Sequence, residues 1–295
     1  MSTSIAQSPA RGFALVPALF GLVRFAHTIF ALPFALAGAL FAQMAWPPIG
    51  RLVWIGVAMV GARSLAMALN RLIDHHIDAR NPRTAGRELP SGRLTPRQVA
   101  AFAAISFGAL VLSTSRLAEP TRYLWPVPVV MFWLYPYLKR VSWSCHLVLG
   151  LTIGLAPVGA WLAVTGSVTW TTITLGLAVA CWIAGFDVVY ALLDVDFDRA
   201  NGVHSIPVRF GPERALWWTR ALHLAAGVFL FAVGVGIRAG WPYILGICLC
   251  GLVLLVENVI VRPDRPDRIN AAFNTANIAL SMIFAVAVLA EVALR

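Results

Sequence analysis

Charge is what this sequence has least of. Only 12% of its 295 residues are Asp, Glu, Lys or Arg, about half the share in a soluble domain, and 59% are apolar. With a mean hydropathy of +0.78, that scarcity excludes an ordinary water-soluble enzyme. It also excludes a disordered chain, whose composition is the reverse. Cysteine is scarce as well. Cys145, Cys181, Cys248 and Cys250 lie in apolar stretches, without the paired spacing of a zinc site or a disulfide framework. Acid is scarcer than base: 13 Asp and Glu stand against 23 Lys and Arg, a net charge of +10. Such a balance suits nucleic acid, anionic lipid or an anionic substrate, and the placement of the charge decides among them.

Long apolar runs are what the chain has instead. A bilayer-crossing helix needs about 20 mostly apolar residues, and nine segments qualify: 19–43, 52–70, 97–115, 122–138, 144–165, 170–192, 215–236, 241–261 and 271–294. The expected fold is all-α, an integral membrane bundle of nine transmembrane helices around a central cavity, in a single domain over 1–295. Two connecting loops are long and polar, 71–96 and 193–214. The N-terminal MSTSIAQSPARGFALVPALFG reads as a short tail rather than a signal peptide, because Arg24 interrupts the apolar run. With the N-terminus in the cytoplasm, the inner loops carry fourteen Lys and Arg and the outer segments five. That is the positive-inside bias. The basic charge therefore follows the membrane topology, and no nucleic-acid partner is expected.

The scarce acids are not scattered. Six of the 13 fall in two clusters, Asn70-Arg71-Leu72-Ile73-Asp74-His75-His76-Ile77-Asp78 and Asp187 through Asp198. Positions 70, 74 and 78 step by four and positions 187, 194 and 198 by seven and then four, so each set shares a helix face. Stacked like charges repel, and in so acid-poor a chain they call for a cation. Oxygen-only ligands suit a hard ion, and Mg2+ is typically held by a few carboxylates together with substrate phosphates. One such pair is ordinarily a solvated helix end; two at corresponding ends of spans point to a site. Both clusters are followed by a basic loop, 81–92 and 201–211, with Asn, a small hydroxyl residue, Arg, Pro and Gly in each. This loose echo suggests two related four-helix halves plus one helix, with the two loops capping the site and Arg forks available for phosphate oxygens.

With these motifs in hand, the sequence resembles the UbiA superfamily of intramembrane aromatic prenyltransferases. That family carries NxxxDxxxD after its second helix and DxxxD after its sixth, around a cavity open to lipid. Asn70, Asp74 and Asp78 match the first motif. Asp194 and Asp198 match the second, preceded by Asp187 and Tyr190 in the pattern D-x-x-Y-A-x-x-D. RTAGRELPSG (83–92), YPYLKR (135–140) and HSIPVRFG (204–211) also resemble family segments. The resemblance implies Mg2+-dependent transfer of a polyprenyl group from its diphosphate to an aromatic acid in ubiquinone or menaquinone biosynthesis, at a bacterial inner membrane. Within the family the chain is most similar to the 4-hydroxybenzoate branch. Its opening RFAHTIFALPFAL (24–36) resembles a subgroup whose members include enzymes that prenylate 1,4-dihydroxy-6-naphthoate.

The roles that follow are expectations. Asn70, Asp74, Asp78, Asp194 and Asp198 would hold the metal. Arg87, Lys139 and Arg140 would bind the diphosphate. Asp187, with Tyr190 beside it, would orient the acceptor or help its proton leave. Arg63, one helical face with Asn70 and deep in a span, would take the acceptor carboxylate or the diphosphate. His75 and His76 lie off the 70/74/78 face and read as solvated loop histidines, His27 and His146 as hydrogen-bonded packing histidines, Asp196 as a helix-end charge on another face, and Glu257 as an acid that is either a relay or a partner of Arg262. The main rival is a cation-coupled transporter, although transporter sites lie near the midplane and these clusters lie at span ends. Two further rivals are an alcohol phosphotransferase, whose longer Asp motif is missing, and a family member with another acceptor such as heme, chlorophyllide or a sugar phosphate.

Overall fold

Helix starts are written locally into the chain. Thr95 accepts from the Gln98 N–H while the Gln98 side chain accepts from the Thr95 N–H, and Thr169 and Thr172 repeat the device. Such reciprocal caps satisfy donors that a helix start leaves free, and Pro96, Pro126 and Pro212 occupy first-turn positions where no N–H is needed. The computed structural model describes residues 9–23 and 28–295, and no strand occurs among the described residues. Its helices are α1 (Leu15–Leu22), α2 (Thr28–Phe41), α3 (Ile49–Arg80), α4 (Pro96–Ser115), α5 (Thr121–Leu124), α6 (Pro126–Leu138), α7 (Cys145–Thr165), α8 (Trp170–Ala191), α9 (Val195–Ala200), α10 (Ile206–Phe210), α11 (Pro212–Ile237), α12 (Trp241–Ile260), α13 (Pro266–Ala271) and α14 (Asn277–Ala293).

Six helices are long and apolar enough to cross a bilayer: α3, α4, α7, α8 with its continuation to Ala200, α11 and α12. Segments 19–43, 122–138 and 271–294 hold shorter helices. Length and composition thus support six of the nine expected crossings. The first expected span is not one uninterrupted described helix: α1 ends at Leu22, α2 begins at Thr28, and Arg24 and His27 lie outside the described residues.

The second expected span is longer than its apolar stretch. α3 runs for 32 residues, about 48 Å at 1.5 Å per residue, against about 30 Å of hydrocarbon. Residues 71–80, expected in a loop, are its last turns. Asn70, Asp74 and Asp78 therefore stand along one continuous helix.

Small residues let the central helices touch. A Cβ on Gly150 of α7 would lie 2.2 Å from the Ala180 carbonyl oxygen of α8, and one on Gly154 would lie 2.5 Å from the Gly176 carbonyl oxygen. Backbones this close are the usual device of membrane bundles, where lipid removes any hydrophobic drive for association. An aromatic core joins α2, α8, α12 and α14: Phe34 stacks on Phe284 at 4.4 Å between centroids, Trp182 and Tyr243 pack beside them, and Trp182 Nε1 donates to Asn277 Oδ1 at 3.0 Å. A second core ties α1 to α3, α4 and the loop between them through Leu22, Leu65, Leu94 and Val99. Outward faces stay apolar, as with Leu224, Val228, Phe231 and Val235 along exposed α11. A soluble protein seldom leaves such a stripe bare; lipid covers it at no cost.

Candidate active site

The carboxylate-bearing ends of α3 and α8 meet across a cavity of about 330 Å3. From the first cluster, Asn70, Asp74 and Asp78 line it. From the second come Asp187, Tyr190, Asp194 and Asp198. Arg63, Arg87 and Lys139 line it as well; Arg140 stands outside the lining and reaches Asp74 from behind. The two acid groups face one another, as charge scarcity required. They are within one side chain's reach: Asn81, at the end of α3, donates to Asp194 Oδ1 at 2.9 Å.

Each of three acids is already neutralised by its own cation. Asp74, 2% exposed at its side chain, meets Lys139 Nζ at 2.5 Å and Arg140 Nη2 at 3.4 Å, and accepts from Asn70 Nδ2 at 2.9 Å. Asp78 accepts from Arg87 Nη1 at 2.9 and 2.8 Å and lies 3.6 Å from Arg71. Asp194 is gripped by the fork of Arg83, whose Nε donates to Oδ1 at 2.8 Å and whose Nη2 closes on Oδ2. Ions taken out of water persist only when paired and hydrogen-bonded, so the arginines and the lysine expected to hold diphosphate are here holding carboxylates. Burial works against the charge on Arg83. Its hydrogen bond and attraction to Asp194, with smaller help from Tyr190 and Asp78, outweigh that and keep its pKa above the ordinary arginine value.

Arg83 is the residue sequence reasoning missed. Besides Asp194 it donates to the Tyr190 hydroxyl at 2.7 Å and lies over the Tyr190 ring, 4.8 Å from its centroid. It thus ties the loop after α3 to Tyr190 on α8 and to Asp194 just past its end. Its place in RTAGRELPSG was visible, yet nothing in spacing separated it from the other loop arginines. His146, expected to be a hydrogen-bonded packing residue, is hydrogen-bonded, and its partner is Asp187, Nδ1 to Oδ2 at 2.7 Å. Asp196 is exposed, as expected; His75 and His76 lie on α3 rather than in a loop and stack on each other, His76 exposed and His75 half-buried. Glu257 is buried with neither oxygen hydrogen-bonded, so its suggested pairing with Arg262 is not formed.

The residues suit a hard divalent cation. The expected ligands are oxygen donors throughout. Asp74 Oδ1 is buried without a hydrogen bond, and the buried Asp198 carboxylate has no hydrogen bond or ion pair among the described residues. No group of three or more His, Cys, Asp or Glu side chains stands gathered for a metal among the described residues, because Lys139, Arg87 and Arg83 draw the acids apart onto themselves.

A second cavity of about 400 Å3 adjoins the first. Leu110, Leu117, Phe132, Leu155 and Leu162 are among its apolar walls, and Arg63, Met67, Tyr135, Leu149 and Ile153 line both spaces. Arg63 Nε is buried there without a hydrogen bond. A charged chamber at the helix ends thus adjoins, at Arg63 and Tyr135, an apolar one between α3, α6 and α7, a shape matched to a ligand with an anionic head and an oily tail.

Comparison with known proteins agrees with this shape. Residues 31–283 match the UbiA prenyltransferase family. A 4-hydroxybenzoate octaprenyltransferase from Pectobacterium atrosepticum is 29% identical over 226 residues, 75% of this chain and 77% of that protein. The apo structure of a UbiA homologue from Aeropyrum pernix K1 is 31% identical, with a TM-score of 0.82 over 90% of this chain and 98% of that one. A UbiA homologue from Archaeoglobus fulgidus, bound to GPP and Mg2+, shares the fold at 18% identity, with a TM-score of 0.72 over 94% of this chain and 99% of that one. The transporter and phosphotransferase expectations fall away. An acid-lined head chamber, an apolar tail chamber and a family match across most of its length together make this integral membrane chain a member of the UbiA prenyltransferase family, and a prenyltransferase.

Proposed function

We propose that the enzyme moves a polyprenyl group from its diphosphate onto a ring carbon of an aromatic acid of the 4-hydroxybenzoate or 1,4-dihydroxy-6-naphthoate type, in quinone biosynthesis. One observation carries the reading: a polar chamber with five carboxylates adjoins an apolar one at a buried arginine. The name of the Pectobacterium relative supports the acceptor class, and the ligands of the Archaeoglobus homologue support the donor and the metal. We read α2, α6 and α14 as further crossings, nine in all, within one domain. On this reading the N-terminus and the capping segments 71–96 and 193–214 face the cytoplasm at a bacterial inner membrane, an orientation that the excess of Lys and Arg in the inner segments supports.

Asn70, Asp74, Asp78, Asp194 and Asp198 would hold Mg2+, which when bound supplies Lewis-acid stabilisation to the departing diphosphate. The chain's own cations do the rest of the electrostatic work. Arg87, Lys139, Arg140 and Arg83 pair with carboxylates of the cavity. With the acids otherwise engaged, these cations are free to hold the phosphate oxygens as negative charge grows on them. The prenyl tail lies in the apolar chamber, whose walls keep water from the allylic cation. Arg63, at the junction, holds the acceptor carboxylate and so turns the ring toward the allylic carbon. The ring's π pair forms the new bond as the carbon–oxygen pair leaves with diphosphate, and Asp187, with Tyr190 near it, orients the acceptor and receives the ring proton.

The test is mass spectrometry of product and assay of diphosphate release, using membranes that contain the enzyme, GPP or longer donors, and a panel of ring acids with Mg2+. Alkylated ring acid is expected to accumulate in step with diphosphate. Diphosphate release that never yields alkylated aromatic acid would sink the acceptor reading. Near-normal turnover by Asp74→Ala or Asp194→Ala would sink the metal assignment.

A further inference from the structure

Asp187 and Asp198 are the two cavity carboxylates without a lysine or arginine partner among the described residues, and of the two only Asp187 is hydrogen-bonded. Asp74, Asp78 and Asp194 each face a lysine or arginine. Asp187 lies seven residues before Asp194, about 10 Å deeper along the helix direction, and its one side-chain hydrogen bond is to His146. The arrangement is directional. Both residues line the cavity, but the Asp187 side chain is 27% exposed and the His146 side chain 5%. Nδ1 meets Oδ2, and Nε2 is buried with no hydrogen-bond partner. A buried polar nitrogen left unpaired costs about 1–3 kcal/mol, so this imidazole is not there for packing alone.

We propose that His146 is a positioning residue for the reaction, its Nδ1–H fixing the rotation of the Asp187 carboxylate so that Oδ1 is presented to the ring carbon being alkylated. This rests on the reading of Asp187 given above. In the step it serves, the new carbon–carbon bond takes the ring's π pair, and the carbon–oxygen pair leaves with diphosphate. The ring carbon–hydrogen pair then returns to the ring, and the proton passes to Asp187 Oδ1 while Oδ2 stays hydrogen-bonded to His146. The unpartnered Nε2 offers no onward route, so the proton leaves from Asp187 itself when product departs. His146 orients the carboxylate and does not relay the proton.

Two near-isosteric polar variants separate orientation from bulk. The His146→Asn amide puts an N–H donor where Nδ1 stood; the His146→Gln amide reaches instead to the place of Nε2. Both are assayed with GPP, Mg2+ and 4-hydroxybenzoate or its ring-deuterated form. With geometry as the lever, His146→Asn is expected to keep kcat within about 3-fold of wild type, and His146→Gln to lose about 10- to 100-fold in kcat while the acceptor KM holds within about 3-fold. His146→Gln is also expected to gain a primary isotope effect from the ring deuterium, absent in wild type, because proton removal becomes slow only when Asp187 is misaligned. Equal rates for the two variants, a loss falling on KM, or no isotope effect in His146→Gln overturns the role of His146 alone. A wild-type enzyme that alkylates no aromatic acid overturns the acceptor reading beneath it.

Discussion

The pairing of Asp74 with Lys139, the chain's single lysine, makes a prediction in which stability and activity part company. The ions lie 2.5 Å apart, with side-chain exposures of 2% and 24%. At an effective dielectric near 20, Coulomb's law gives about 7 kcal/mol of gross attraction at that distance. Stripping water from two ions offsets most of it and leaves a net coupling of about 2 kcal/mol. Asp74→Asn strands Lys139 and Arg140 against a neutral amide, and Lys139→Met strands a buried carboxylate. Each single variant should therefore lose about 2–3 kcal/mol of stability. The double variant should lose about 2 kcal/mol less than the sum of the two. With Asp74 serving the metal and Lys139 the diphosphate, as proposed above, product formation should show no such relief, because loss of either removes a separate need. The measurement is a double-mutant cycle: denaturant melts of metal-free protein in detergent micelles, beside diphosphate release with Mg2+. Strictly additive stability losses would refute the pairing, and a double variant that regains turnover would refute the two distinct roles.

Three shorter predictions follow from the same geometry. Arg83→Gln frees Asp194, so Mg2+ affinity of the substrate-free enzyme, read by titration calorimetry, should rise, while kcat/KM for the prenyl diphosphate falls about 10-fold as a phosphate donor disappears; a fall in both would contradict the switch of partners. Chelation with EDTA should stop product formation, and Mg2+ should restore it better than Ca2+, whose larger shell suits a site of a few carboxylates and phosphates less well; turnover that survives chelation would remove the metal from the mechanism. Gly150→Val puts a branched side chain where even a Cβ would lie 2.2 Å from the Ala180 carbonyl oxygen, so α7 and α8 must separate. That should cost about 3 kcal/mol or more, seen as a lower melting temperature in detergent, and an unchanged melt would refute the close packing.

How much of the site was legible follows from which interactions are local. The face of Asn70, Asp74 and Asp78 could be read because helical periodicity is a property of adjacent residues, and the structure extends α3 to Arg80 to carry it. That the first cluster faces the second followed from scarcity: a chain with 13 acids has no reason to concentrate six of them except for a shared cation. Arg83 and His146 were not legible. One is an arginine among many, the other an isolated intramembrane histidine, and each acquires meaning only from a partner on another element, 111 residues away for Arg83 and Asp194 and 41 away for His146 and Asp187. The expectation that Arg87, Lys139 and Arg140 bind diphosphate could not foresee that Arg87 pairs with Asp78 and that Lys139 and Arg140 pair with Asp74.

The boundary between the two kinds of knowledge is physical. Composition, the length of apolar runs and the bias of basic loops are set by the bilayer, which acts on each segment separately, and so the residue string alone made this a helical membrane protein with its acids gathered at helix ends. The adjoining of a charged chamber and an apolar one at Arg63 and Tyr135, and the choice of partner for every carboxylate, depend on how α3, α6, α7 and α8 close around a common space. Low-dielectric ion pairing is decided by distances of a few ångströms between residues remote in the chain, and those distances exist only once the helices have packed.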